Sequence, residues 1–308
     1  MGDIRNSDPR HYRLRFPLEN MTMQESVDGL FQYTGIWLEI MGRSRITETE
    51  VHDIRVVIRQ LMSLQYFLKP LIDKKHYEEG KKTLDRGLKE LEGSREKSVF
   101  IKALKEFETF LTLKEGNVDN SRQLHALRCL VASLEEEIER DWATFERDQG
   151  GIWPDCIKNW LAWIKEEPLA DSDENYTAQR LEKMIGKWLG RYHRRQSLKG
   201  DGLHQSRIAM KKIRYLYRAV PEAMVPKNPT VIRTMAAYQE TTGQLHDISR
   251  FREMSLGIPD SLARAWVDYE AHQEKKYLKQ CFKVHQALVE ALTEVPKKEG
   301  RHDSRNRT

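Results

Sequence analysis

The chain's 308 residues, 32% charged and 39% apolar at a mean hydropathy of −0.71, allow two cores or one large helical one. A membrane span is excluded, because no apolar run approaches the roughly 18 residues that one requires, and a net charge of only +5 means that an acidic partner must be held by clustered cations. Cys129, Cys156 and Cys281 are too far apart for a metal-ligand motif and fit reduced thiols, and the N-terminus lacks a signal-peptide core, so a cytoplasmic protein is expected.

Residues 1–18 carry Arg5, Arg10, Arg13 and Arg15 without periodicity and read as a basic arm. Apolar spacing predicts a first helix over 21–41, stopped by Gly42, with Arg43 and Arg45 in the link that follows. A second helix runs from about Thr49 to Phe67 and ends near Pro70. Helices are predicted over 77–91, 99–113 and 123–147, and Gln149-Gly150-Gly151 is the breaker taken as the boundary between halves. The second half opens with a helix from Trp153 to Pro168, bearing Trp160 and Trp163 as packing residues. A helix after Asp171-Ser172-Asp173-Glu174 ends in Arg191-Tyr192-His193-Arg194-Arg195. Then come a helix from about Asp201 to Val220, one over 231–242 interrupted at Gly243, and a long one over 261–292 with Lys275, Lys276 and Lys279 on its surface. Residues 294–308 read as a charged tail. No alternating pattern of strand length occurs, so the fold is expected to be all-α, with a bundle over 19–149 and another over 150–293.

The helix beginning at Asp201 holds the chemistry. His204, Arg207, Lys211 and Arg214 fall within an arc of roughly 80° at about 100° per residue. Ala209, Ile213, Leu216, Tyr217 and Val220 lie opposite, with Met210 at the border, and Asp201 stands at the N-cap position. No acid interrupts the stripe. Its first turn also offers free N–H groups and a favourable dipole to an anion. The arrangement recurs about 150 residues earlier: Thr49 matches Asp201, His52 matches His204, Arg55 matches Arg207 and Arg59 matches Lys211. Ile54, Val57, Leu61, Leu64 and Leu68 form the opposed face, with Ile58 at its border. A single basic stripe is most often a solvated face, whereas two matching copies point to function.

The repeated pattern, His-x-x-Arg-x-x-x-Arg/Lys-Arg/Lys-hydrophobic-Arg, resembles that of the CHAD family (conserved histidine α-helical domain). The second copy fits in full through His204, Arg207, Lys211, Lys212, Ile213 and Arg214, and the first has Gln60 and Met62 in place of two basic residues. A second family element, Leu-Gly-x-x-Arg/His-Asp-x-Asp, is similar to Leu91–Ser98, with Arg95 at the basic position and Glu92 at the glycine, and to Thr242–Ser249, with His246 and Asp247. The resemblance implies two four-helix bundles related by an internal pseudo-two-fold. It also implies non-catalytic binding of inorganic polyphosphate on a central basic surface, with no cofactor. Association with polyphosphate granules would follow from such binding. The candidate residues are Arg43, Arg45, His52, Arg55, Arg59, Arg95, Arg128, Arg191, His193, Arg194, Arg195, His204, Arg207, Lys211, Lys212, Arg214, His246 and Lys276.

The residues themselves specify only a polyanion. Arginine forks match phosphate oxygens, lysine acts as a mobile charge, and two stripes engage a repeating chain at high effective concentration. Nucleic acid is the second reading, with Tyr192, Tyr215 and Tyr217 near the basic residues as stacking platforms. A phosphoanhydride hydrolase would need acidic metal ligands beside the basic face, whereas Glu135-Glu136-Glu137 and Glu166-Glu167 read as solvated faces.

Overall fold

Apolar periodicity becomes nine α-helices, with no strand among the described residues, in a computed structural model that describes residues 48–114, 121–147, 152–167, 176–198, 200–219 and 227–294. In chain order these are α1 (Glu48–Leu68), α2 (Lys74–Glu90), α3 (Gly93–Lys114), α4 (Ser121–Arg147), α5 (Trp153–Glu166), α6 (Tyr176–Tyr192), α7 (Asp201–Ala219), α8 (Pro229–Met254) and α9 (Asp260–Thr293). The basic arm, the helix expected over 21–41, Arg43, Arg45 and the tail beyond 294 lie outside the described residues.

Local chemistry sets several helix ends. Asp73 caps α2, its carboxylate accepting from the backbone N–H of Lys75 at 2.8 Å, and Asn228 caps α8 through Thr230 N–H at 2.9 Å. Pro154 and Pro229 occupy first turns, where a missing N–H costs no helical bond. Three expectations are corrected. Asp201 is the first residue of α7 and not a cap; the turn before it is made by Gly200 at φ 50°, a left-handed conformation suited to glycine. Gly243 does not interrupt α8. One mid-helix glycine costs about 1 kcal/mol, less than the roughly 1.5–3 kcal/mol from burying a side chain such as Leu245, and α8 buries Tyr238, Thr242, Leu245 and Ile248 around it. Met210 and Ile58, placed at stripe borders, are fully buried, because α7 and α1 are covered over a wider arc than an amphipathic stripe requires.

Two cores form. The larger joins residues of α1, α2, α5, α6 and α7 with Val231 to Leu245 of α8 and Cys281 to Leu292 of α9. The smaller joins α3 and α4 to the end of α8 and the start of α9, around Phe107 and Trp266, whose rings meet edge to face at 5.1 Å. Each core therefore draws on residues from both sides of the Gln149-Gly150-Gly151 breaker. Close approach of α2 and α5 depends on glycine: a Cβ on Gly80 would stand 2.7 Å from the Trp163 ring and from Gln65 Nε2.

α1 runs through the larger core and is buried on almost every side, Gln60, Ser63 and Gln65 included. Its C-terminal carbonyls are satisfied by α6: Tyr176 donates to the Phe67 carbonyl at 2.7 Å and Arg180 donates to those of Tyr66 and Phe67. α7 packs against α1, α6 and α8. It is keyed by Ser206, fully buried, whose Oγ lies 2.7 Å from the Tyr238 hydroxyl and accepts from Trp188 Nε1 at 3.1 Å. Fixing Ser206 inward fixes the rotation of α7 and hence the direction of its basic residues.

Candidate functional site

Four helices bring their basic residues together. α1 supplies His52, Arg55 and Arg59; α3 supplies Arg95; α7 supplies His204, Arg207, Lys211 and Arg214; and α8 supplies His246 and Arg250. Lys211 is at the centre. Burial, followed by the charges of Arg59, Arg207, Arg214 and Arg55, pushes its ammonium down to about 7. The His204 and His246 rings are in contact, tilted 42° to one another with centroids 4.9 Å apart. His246 is lowered to about 4, first by burial and then by Arg207, His204, Arg250 and Lys211. Exposed at the edge of the cluster, His52 is lowered by partial desolvation and by Arg95, Arg59, Lys211 and Arg55.

The arginines are strained electrostatically in the same direction. Burial lowers Arg59, Arg207 and Arg214, and a guanidinium cannot escape the cost by losing its proton in the physiological range. Nε of Arg207 and Nε of Arg214 are buried donors without an acceptor. Repulsion and unmet donors in one place are what an anion supplied from outside would relieve.

Carboxylates do enter the cluster, from elements other than the stripes. Arg250 bridges Glu96 at 2.6 Å and Glu92 at 3.5 Å, and Asp247 offsets Arg207 and Arg95. With Arg55 turned away, these acids leave six arginines and lysines (Arg59, Arg95, Arg207, Lys211, Arg214 and Arg250) with three carboxylates. Arg250 and the roles of Glu92 and Glu96 were missed from sequence. The only available signal was the second family element, in which Glu96 and Asp247 share the position after the basic residue and Arg250 follows three residues later.

The predicted residues separate into groups. His52, Arg59, Arg95, His204, Arg207, Lys211, Arg214 and His246 are brought together. Arg55 sits among them but is turned away: 4% exposed, its Nη1 donates to the carbonyls of Leu91 at 2.6 Å and Leu88 at 3.2 Å, where α2 ends. Lys212 points off the stripe, its Nζ 4.4 Å from the centroid of the Tyr66 ring and near Lys69, Lys81 and Asp85. Arg128 pairs with Glu108 at 2.8 Å, about 20 Å along α3 from Arg95 at 1.5 Å per residue. His193 Nδ1 lies 2.9 Å from the Leu189 carbonyl, Arg195 stacks 3.7 Å over Phe282, and both line a groove with Lys275, Lys279 and Lys283. Arg191 and Arg194 are exposed near that groove's end of α6, and Lys276 is exposed on α9 beside Tyr277. Of the tyrosines in the nucleic-acid reading, Tyr192 and Tyr217 are buried and Tyr215 is tied to Arg214.

With this geometry in place, comparison with known proteins decides the family. The family model for the CHAD domain matches residues 42–255, more than two-thirds of the chain. The chain belongs to the CHAD family. Two solved structures share the CHAD-domain protein's all-α fold: PptA from Streptomyces chartreusis, at a TM-score of 0.61 and 13% identity, with 89% of this chain and 100% of that one covered, and the CHAD domain from the plant Ricinus communis, at a TM-score of 0.60 and 16% identity, with 93% and 98% covered. No curated protein sequence matches the chain. Among the described residues, no group of three His, Cys, Asp or Glu is placed to hold a metal ion, and no helix is long and apolar enough to cross a membrane.

Proposed function

We propose that this CHAD protein binds inorganic polyphosphate, without catalysis, at the cluster of His52, Arg59, Arg95, His204, Arg207, Lys211, Arg214, His246 and Arg250. The observation that carries this reading is the pair of buried, unmet guanidinium donors on Arg207 and Arg214 beside a lysine whose charge its neighbours oppose. Phosphate oxygens relieve both defects at once, accepting the orphan N–H bonds and neutralising the repulsion. Family membership supports polyphosphate over other polyanions, because the CHAD family is linked to that ligand. Residues 42–255 of the family match include every member of the cluster.

Arg55 serves this site indirectly, by holding the end of α2 and with it the Leu91-Glu92 segment and the start of α3. The α6 terminus and Lys276 belong to a separate basic surface that a long chain could reach after filling the central cluster, and granule association would rest on such extended contact. Nucleic acid gains no support from the tyrosines, none of which presents a free face beside the cluster.

A competition assay tests the reading. Labelled long-chain polyphosphate bound to the protein at fixed, near-physiological salt is titrated with unlabelled polyphosphate, duplex DNA and single-stranded RNA. Displacement by polyphosphate alone is the expected result. Displacement by nucleic acid at similar concentrations overturns the specificity claimed here and makes the cluster a general polyanion site.

A further inference from the structure

The groove of about 880 Å³ between the end of α6 and α9 shares no residue with the basic cluster, which α1, α3, α7 and α8 build. Its floor is a row on α9. Ala271, Leu278, Phe282, His285 and Val289 fall within an arc of about 60° at 100° per residue. Leu278, Phe282 and Val289 are only half-buried there, while His285 is tied to the fold, its Nε2 lying 2.7 Å from the Tyr192 carbonyl. Beside the row, Lys275, Lys279 and Lys283 recur every fourth residue and are exposed. Arg195, from the turn after α6, places its guanidinium 3.7 Å from the centroid of the Phe282 ring.

Charge in the groove is one-sided. Its two acids are engaged within the fold, Glu274 with Arg252 and Glu290 with Gln286, which donates to it at 3.0 Å. Among the described residues, none of Arg195, Lys275, Lys279 and Lys283 pairs with a carboxylate. From Ala271 to Glu290 the lining spans about 29 Å of α9 at 1.5 Å per residue, the length of a docked helix of about five turns. An apolar floor edged by cations at helical spacing is complementary to a helix with apolar residues at i, i+3, i+4 and i+7 and carboxylates along one border. Polyphosphate has no apolar part to cover the floor, and the flat surface of a bilayer does not fill a concavity.

We propose that this groove docks an acidic amphipathic helix of a partner protein, with its apolar face on Leu278, Phe282 and Val289 and its carboxylates on Lys275, Lys279, Lys283 and Arg195. A helix held there leaves the basic cluster free. Arg191, Arg194 and Lys276 stand outside the lining and stay open to a long polyphosphate chain. The inference does not rest on the reading of the basic cluster.

The test is fluorescence anisotropy with the full chain at fixed, near-physiological salt and no polyphosphate. The probe is a labelled helical peptide of about 20 residues, with a leucine stripe bordered by glutamates. Its controls are a scrambled peptide of the same composition and one with lysine for every glutamate. The striped acidic peptide is expected to bind at least about tenfold more tightly than the scrambled one, since only a stripe lays its apolar area on the floor, and the lysine peptide is expected not to bind. Lys275→Glu with Lys279→Glu and Lys283→Glu should weaken the striped peptide about tenfold or more, as three ion pairs each worth up to a few-fold are reversed. The same change of net charge at exposed positions of α2, Lys75→Glu with Lys82→Glu and Lys89→Glu, should alter affinity less than about twofold. Failure of the striped peptide to bind the parent chain, equal affinity for the scrambled peptide, or an equal loss in the α2 variant overturns the proposal. Self-association of the parent chain that the α9 variant abolishes also overturns it, giving the groove to a second copy. So does displacement of the peptide by polyphosphate from a chain carrying Arg207→Glu with Arg214→Glu, which gives the groove to a polyanion. Because the peptide titrations contain no polyphosphate, their failure is separate from failure of the basic-cluster reading.

Discussion

α1 and α7 carry basic residues on the same helical spacing, His52, Arg55 and Arg59 on one and His204, Arg207 and Lys211 on the other, and use them differently. On α7, Arg207, Lys211 and Arg214 stay half-buried, with donors left over and charges unrelieved. On α1, Arg55 is drawn into the fold to satisfy the last carbonyls of α2, and only His52 and Arg59 remain with the shared cluster. Their surroundings account for the difference. α1 threads the larger core and meets a helix end at Arg55, whereas α7 is pinned from behind by Ser206 and leaves its stripe facing the meeting point of four helices. Positions matched in sequence therefore divide into one that supports the fold, Arg55, and a set left unrelieved at the surface, Arg207 and Arg214.

The largest expected effect comes from α7. Arg207→Glu with Arg214→Glu should reduce polyphosphate affinity by roughly 100-fold or more, since two charge-assisted bonds of about 1.5–3 kcal/mol each are lost. The melting temperature should stay close to that of the parent, as neither side chain supports the core. Fluorescence titration and thermal melting on one preparation read both. Arg128→Ala, far along α3, is the control and should change affinity less than about twofold, as exposed ion pairs contribute little.

Arg55→Ala should show the reverse balance. It leaves the carbonyls of Leu88 and Leu91 without their donor in a buried setting, a cost of about 2–4 kcal/mol in stability. Measured in protein that is still folded, affinity should fall far less than in the α7 double variant. Chemical denaturation paired with the same titration decides the matter. A loss of affinity as large as that of the α7 variant, without loss of stability, would merge the two helices into one functional class.

The smallest effect is in pH. Lys211 is held near about 7 in the folded chain, against 10.5 for an ordinary lysine, with Arg59, Arg207, Arg214 and Arg55 as the charges around it and His246 neutral above about 4. Between those two lysine values the unfolded chain binds a proton that the folded one lacks, so the ligand-free protein gains stability as pH rises from about 7 towards 10.5. Polyphosphate favours the charged lysine, so affinity should fall as pH rises through about 7, binding then being linked to proton uptake. Lys211→Met should flatten both dependences. Unchanged slopes in that variant would assign them to another group.

Much of this was legible beforehand. The helices from α1 onward follow from apolar spacing, with Pro70 and Pro154 marking ends that short-range sterics settle alone, whereas the Asp73 cap starts α2 at Lys74, three residues before the expected Tyr77. Gly243 was misjudged because a glycine's local cost is visible in sequence, whereas the packing of Tyr238, Leu245 and Ile248 that overrides it is not. His204, Arg207, Lys211 and Arg214 were found because one helix places them together. Arg250, Glu92 and Glu96 were missed because they meet only where α8 packs against the start of α3, more than 150 residues apart in sequence.

Sequence by itself determined the all-α class, the helix that carries the fullest basic stripe and the excess of cations over acids on it, since those depend on neighbours within a turn or two. Tertiary structure alone decided that Arg55 supports α2 while Arg207 and Arg214 keep donors unmet, that carboxylates from α3 and α8 enter the cluster, and that Arg128 and Lys276 stand apart from it. Burial and charge–charge coupling are properties of the space around a side chain. That space is assembled from residues tens to hundreds of positions away.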